Sequence, residues 1–240
     1  MCGIAGIAGQ QRVNRQAVET MMDLMVHRGP DDSGLWTSEN KHVVFGHRRL
    51  AIIDLTAAGH QPMISPSGRY IIVFNGEIYN HLGIRKDLGK RSWGGHSDTE
   101  SLLVAFDEWG IQRSIERANG MFAFAVWDKS KNTLVLGRDR IGEKPLYYGW
   151  QGNSFLFSSE LKALKKHPEF KAEINRDSIC LFLRLNNIPA PHSIYRGIRK
   201  LEPGCLLSLS LAQPEPKVWK YWSAVDQIRK GLHSPFPGTP

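Results

Sequence analysis

Cys2 stands directly behind Met1, and that position offers a chemistry no internal cysteine has. Once the methionine is removed, one residue carries both a thiol and a free α-amine. Cys2 and Gly3 are small enough for an aminopeptidase to accept. The amine titrates near ~7.7–8.0 and the thiol near ~8.5, so the amine can take the proton that the nucleophile must lose. By position alone, an ordinary residue at a frayed terminus is the better reading. Chemistry requires a substrate site from the rest of the chain. Two polar sites stand where such a pocket could form. Asn75-Gly76-Glu77 ends an apolar segment, and Asp98 opens a helical pattern. A polar triplet with glycine at a strand end makes backbone donors available to a ligand. Each also has a bland role: Glu77 as a turn residue, Asp98 as a helix cap.

The elements that must position these groups read as a mixture of strands and helices. Residues 3–8 alternate glycine, alanine and isoleucine, which suits a central strand with layers close on both faces. Asn14 can cap a helix over 15–26, with Val18, Met21, Met22 and Met25 as its apolar stripe. Strands follow near 34–38, 42–47 and 69–74, and short helices over 81–89 and from Ser97 onward. Residues 121–128 and 133–138 form a hairpin across a polar turn, and 147–148 and 155–157 extend the antiparallel pairing. Residues 160–166 read as a short helix, the pattern loosens after 168, and late strands fall at 205–211 and 218–222. The end, 231–240, is rich in Gly, Pro and Ser and reads as a linker. With no regular βαβ alternation, the sum is an α+β layered protein with sheets between helices.

Composition narrows the function classes. The 240 residues suffice for one large domain with a tail. No apolar run approaches the ~18 residues of a membrane span, and no secretory signal is recognisable, so no membrane is expected and the location is read as cytoplasmic. The three cysteines, with no CxxC spacing, fit a reducing compartment, and the nine histidines show no HExxH, so no metal site is expected. The net charge of +8 is scattered and comes with no nucleic-acid motif, so no nucleic-acid partner is expected.

Five ordered motifs then carry a resemblance. They are Met1-Cys2-Gly3-Ile4, His27-Arg28-Gly29-Pro30-Asp31, His47-Arg48-Arg49-Leu50, Asn75-Gly76-Glu77-Ile78-Tyr79-Asn80 and Ser97-Asp98-Thr99-Glu100. Together they resemble the glutaminase domain of class II glutamine amidotransferases, which are N-terminal-nucleophile (Ntn) hydrolases. Arg138-Asp139-Arg140-Ile141-Gly142-Glu143-Lys144-Pro145 and Tyr195-Arg196-Gly197-Ile198 are similar to the asparagine synthetase branch. The resemblance covers 1–222 as the glutaminase domain and leaves 223–240 as a linker toward an ATP-dependent synthetase domain. No Ser-Gly-Gly-rich pyrophosphate loop occurs in the chain, which reads as a fragment of a longer synthetase or as a stand-alone glutaminase with a separate partner.

The resemblance implies a four-layer αββα sandwich of two antiparallel sheets, with the first strand holding the nucleophile at a sheet edge facing the substrate pocket. It implies hydrolysis of L-glutamine through a Cys2 thioester, with Asn75 and the Gly76 N–H receiving the oxyanion. Arg49 would clamp the α-carboxylate, Asp98 with Glu77 would hold the α-ammonium, and Leu50, Ile52 and Ile53 would line the pocket through backbone groups. Asp31, Asp32 and His47 are read as loop-holding groups. No cofactor is expected in this chain, since ATP and Mg would serve only the synthetase domain. That domain, or a separate synthetase subunit, is the implied partner, and a homodimer is compatible. The ammonia would go to aspartate, or to another acceptor such as a sugar carboxylate. The alternative is a non-catalytic regulatory module that keeps the fold and retains Met1.

Overall fold

The structure is a computed structural model that describes residues 1–234 and 238. In chain order the first elements are β1 (Gly3–Gly9), α1 (Arg15–Asp23), β2 (Asp32–Thr37), β3 (Val43–Arg49), β4 (Met63–Ile64) and β5 (Tyr70–Ile78). Helices α2 (His81–Asp87), α3 (Asp98–Trp109) and α4 (Ile111–Arg117) precede β6 (Gly120–Asp128), β7 (Thr133–Arg138), β8 (Tyr147–Gln151) and β9 (Ser154–Ser158). The rest is α5 (Leu161–Leu164), α6 (Arg176–Leu185), β10 (Ile198–Lys200), β11 (Cys205–Ser210), β12 (Gln213–Lys220) and α7 (Ala224–His233).

The strands form two six-stranded antiparallel sheets, ordered β10-β8-β9-β1-β3-β2 and β12-β11-β7-β6-β5-β4. Three apolar clusters separate four layers. Ile4, Phe45, Val73, Ala125 and Leu136 lie between the sheets. Ala5, Ile7, Met21 and Val44 lie between the first sheet and α1 with α5. Ile72, Phe74, Leu102, Phe106 and Phe122 lie between the second sheet and α2, α3 and α4. The αββα sandwich follows from period-two burial: in β1, Ile4 and Ala8 face the inter-sheet core while Ala5 and Ile7 face α1. Gly6 is required in β1, because a Cβ there would meet the Phe157 ring at 2.3 Å.

Several expectations need correction. β1 is a central strand, as the small residues of 3–8 predict, paired with β3 on one side and β9 on the other, so Cys2 stands at the end of an interior strand and not on an edge strand. It sits just before the first residue of β1. The helix expected over 15–26 ends at Asp23, and a separate 3-10 turn covers Val26–Arg28. Gly110, at φ 78°, divides α3 from an unforeseen α4. In the stretch where the pattern loosens, α6 is capped by Asn175 and carries Ile179, Phe182 and Leu183 at helical spacing, but that stripe is exposed and Ser178 is its one buried residue. β12 begins at Gln213, and its Pro214 and Pro216 are tolerated because it is an edge strand. Within the expected linker, 224–233 is helical, with Ser223 accepting from the Asp226 N–H as its cap. Residues 235–237 and 239–240 of that linker lie outside the described residues.

Candidate active site

The three groups that could do chemistry meet where the sheets face each other at one end. Cys2 precedes β1, Arg49 ends β3, and Asn75-Gly76-Glu77 lie near the end of β5. All the residues singled out from sequence line one cleft: Cys2, Arg49, Leu50, Ile52, Ile53, Asn75, Gly76, Glu77 and Asp98. Met1, Gln61, Thr99, Met121 and Lys144 line it too.

The thiol is held by the backbone of Leu50. The Leu50 N–H donates to Cys2 Sγ at 3.4 Å, and Sγ lies 3.7 Å from the Leu50 carbonyl oxygen. Burial pushes the thiol pKa up, and the Leu50 contact and the α-amine of Met1 pull it down by less. A thiol kept protonated in this way needs a base at hand to become a nucleophile. Arg28 fixes the backbone of the same residue: its Nε donates to the Cys2 carbonyl at 2.9 Å and its Nη1 to Glu160 at 3.1 Å. Met1 still precedes Cys2, and its Sδ lies 2.9 Å from the buried Lys144 Nζ. Lys144 belongs to a motif noted in the sequence, but nothing in its spacing announced that it would reach the cleft.

Asn75 is 1% exposed, and its side-chain Nδ2 has no hydrogen-bond partner among the described residues. Leaving a buried donor unpaired costs about 1–3 kcal/mol, so such a group calls for an explanation. Gly76 offers a second free donor, by strand parity. The Phe74 N–H donates to Gln61 Oε1 at 2.7 Å, and its carbonyl accepts from His47 Nε2 at 3.0 Å. Both polar atoms of Phe74 therefore point away from β6. Backbone direction repeats every second residue, so Gly76 and Ile78 point the same way. The Ile78 N–H is taken by Asp98 Oδ2 at 2.7 Å. β4 pairs only with Ile71 and Ile72, which leaves the Gly76 N–H facing the cleft. The glycine itself answers to a packing limit rather than to room for a ligand. A Cβ at Gly76 would meet the Met121 carbonyl at 2.2 Å and Phe122 Cα at 2.6 Å.

Asp98 is not the cap of α3. Ser97 caps that helix, accepting from the Glu100 N–H, and Asp98 is its first residue. Asp98 is 5% exposed and accepts backbone N–H groups, from Ile78 at 2.7 Å and Thr99 at 2.8 Å. Burial raises its pKa, and the two N–H bonds offset part of the rise. A buried carboxylate held only by neutral donors is suited to a cation. Arg49, also buried, donates from Nη1 to the Thr56 carbonyl at 2.9 Å and from Nη2 to the Asp54 carbonyl. Its guanidinium is thus already aimed by the 54–56 loop, and its remaining N–H groups are those left for a ligand. Asp54 stiffens that loop: the Thr56 hydroxyl and the His96 N–H hold its carboxyl down at about 2. Gly59 is needed beside it, since a Cβ there would lie 2.0 Å from Arg49 Nη2. Glu77 is half-buried, and Ile52 and Ile53 are exposed at the mouth.

The loop-holding roles divide. Asp31 accepts from the Ala51 N–H at 2.8 Å, and Asp32 contacts His60 at 2.7 Å, so both hold loops around the cleft. His47 does something else, because it lies fully buried in β3 and reaches across to β5.

The cleft therefore gathers the Cys2 thiol, two donors on a strand edge without a partner among the described residues, a guanidinium and a carboxylate. The glutamine amidotransferase domain family matches residues 1–222. The chain belongs to this family. It is 40% identical to asparagine synthetase [glutamine-hydrolyzing] 3 of Bacillus subtilis, over 93% of this chain and 37% of that protein. It is 38% identical to a putative asparagine synthetase [glutamine-hydrolyzing] 2 of Methanocaldococcus jannaschii, over 94% of this chain and 47% of that protein. The amidotransferase domain thus spans less than half the length of these relatives. Among solved structures, glutamine phosphoribosylpyrophosphate amidotransferase from B. subtilis superposes with a TM-score of 0.68 at 19% identity. That match covers 92% of this chain and 49% of the other. At that identity the likeness speaks for the fold alone, the αββα sandwich. Among the described residues no helix is long and apolar enough to cross a membrane.

Proposed function

We propose that this amidotransferase domain hydrolyses L-glutamine to glutamate and ammonia through Cys2. The ammonia serves a synthetase domain or subunit that amidates a carboxylate, with aspartate the first candidate. That synthetase, not this chain, would use ATP and Mg. The observation that carries the reading is the unpartnered Asn75 Nδ2 beside the free Gly76 N–H, in the cleft that holds Cys2.

The chemistry follows from these groups. With Met1 removed, the Cys2 α-amine takes the thiol proton, and Sγ attacks the glutamine side-chain carbonyl carbon. The C=O π electrons move to oxygen, and the oxyanion receives hydrogen bonds from Asn75 Nδ2 and the Gly76 N–H. Collapse expels the amine, which accepts the proton held by the α-amine and departs as ammonia. Water then adds to the γ-glutamyl thioester, and glutamate leaves as the thiol is regenerated. Asp98, with Glu77 nearby, holds the substrate α-ammonium, while Arg49 holds its α-carboxylate through charge-assisted hydrogen bonds. Leu50, Ile52 and Ile53 shape the wall.

Glutamate and ammonia release by Met1-free protein tests this. One glutamate per ammonia is expected, with none from Cys2→Ala. Undiminished release by Cys2→Ala would defeat the mechanism.

A further inference from the structure

The open edge of β5 is closed by side chains at every outward-facing residue except one. Beyond Ile72 no strand among the described residues pairs with this edge. Phe74 is served by Gln61 and His47, and Ile78 by Asp98. Gly76, between them, is left free. We propose that His47 and Gln61 are positioning residues that clamp the Phe74 backbone and thereby aim Asn75 and the Gly76 N–H at the substrate carbonyl. This rests on the glutaminase reading above.

The geometry makes the pair more than filling. Gln61 is 6% exposed and His47 fully buried, and they come from separate segments. Gln61 lies in the loop before β4, and its amide nitrogen is itself held by the Thr99 hydroxyl at 3.4 Å. His47 belongs to the other sheet. It pairs with Ile4 of β1, two residues from Cys2, and lies two residues before Arg49. The single bond from His47 Nε2 to the Phe74 carbonyl therefore crosses between the sheets. It ties the strand pair that bears the nucleophile and Arg49 to the strand that bears the oxyanion donors. The Phe74 carbonyl belongs to the peptide group that continues into Asn75, so tilting it turns Asn75 directly.

The ring's protonation state agrees with this role. A carbonyl only accepts, so Nε2 carries the hydrogen and Nδ1 is bare. Nδ1 is buried without a partner among the described residues. Burial lowers the His47 pKa to about 4, so the ring is neutral at working pH. A residue kept only to fill space has no need of a buried, half-satisfied imidazole, which an apolar side chain would replace at less cost.

The test uses the Met1-free chain carrying His47→Phe, His47→Gln, Gln61→Met or Gln61→Glu. A Gln amide nitrogen can reach the place of His47 Nε2, and a Glu oxygen can still accept from the Phe74 N–H. His47→Phe and Gln61→Met are expected to lower kcat 10- to 100-fold while KM stays within ~3-fold, since displacement of reacting partners by ~1 Å costs about that much. His47→Gln and Gln61→Glu are expected to recover most of the loss. The second readout is binding of L-glutamate γ-semialdehyde. The Cys2 thiol adds across its carbonyl, forming the S–C bond and transferring its proton, to give a tetrahedral hemithioacetal. Its affinity should fall by the same factor as kcat/KM, and this readout needs no turnover. Unchanged aldehyde affinity in folded His47→Phe or Gln61→Met would overturn the proposal, as would equal losses in the conservative and disruptive variants. Should His47→Phe fail to fold, the Gln61 pair carries the same comparison. If wild-type protein neither hydrolyses glutamine nor binds the aldehyde, the glutaminase reading itself fails, which is a distinct result.

Discussion

Two polar sites at the same end of the second sheet show opposite hydrogen-bond logic. Asp139, fully buried just after β7, gathers five backbone N–H groups on one carboxylate, from Phe122, Ile141, Gly142, Glu143 and Lys144. Asn75, equally buried two strands away on β5, leaves its amide nitrogen unpaired. Both lie in motifs of similar polarity in the sequence. The saturated site builds the turn that delivers Lys144 to the cleft. The unsaturated one carries donors whose partner must come from outside the fold. A buried donor left without a protein partner costs stability, and in a substrate cleft that cost is offset when a ligand or a transition state accepts its hydrogen bond.

The sharpest way to break this contrast is to remove the unsaturated donor. Asn75→Ala should lower kcat by about 10²–10³, the usual effect of losing one oxyanion donor. Its melting temperature should be unchanged or slightly higher, because an unpaired buried donor has gone. Steady-state kinetics and a thermal scan on the same preparation check both halves. Asp139→Ala should invert the pattern. It strands five backbone donors and should cost on the order of 3 kcal/mol of stability or more, read from denaturant midpoints.

Acid offers a third test. His47 has a folded pKa of about 4 against an ordinary 6.5. As pH falls below 6.5 the unfolded chain takes up this proton first, so the stability that neutral His47 contributes is full above 6.5 and drains away toward pH 4. The loss approaches about 3 kcal/mol. The groups that face the ring electrically are Asp32, His60 and Arg49, and they are the same in a His47→Gln variant. The difference between the two stability–pH curves in that window therefore isolates His47. A flat difference would remove the inter-sheet clamp from the account.

The smallest effect expected is at Asp98. Asp98→Asn keeps an acceptor but loses the charge facing the ammonium, and KM should rise about 10- to 100-fold with kcat little changed, the range for a hydrogen bond to a charged group. An equal fall in kcat would move Asp98 from holding substrate to aligning it.

The difference between these regions also explains what was legible in the sequence. Period-two apolar strands and capped helices gave the layered α+β class, and the ordered motifs marked Cys2, Arg49, Asn75, Gly76 and Asp98. What could not be read was pairing at a distance. Nothing in the loop around Gln61 says that its side chain will stand in for a missing strand beside Phe74. His47 looked like a loop residue because its partner lies 27 positions away, on the other sheet. Helix α6 is readable after all, from Asn175 as a cap and Ile179, Phe182 and Leu183 at helical spacing, whereas β12 is not, because its prolines are harmless only on an edge.

The central claim is that Cys2 becomes the nucleophile once its own amine is free. Treating the chain with the glutamine analogue 6-diazo-5-oxo-L-norleucine, with and without Met1, tests it by the mass of the N-terminal peptide. The account predicts one adduct, on Cys2, in Met1-free protein and none where Met1 is retained. Equal labelling of both forms, or an adduct on another residue, would contradict it.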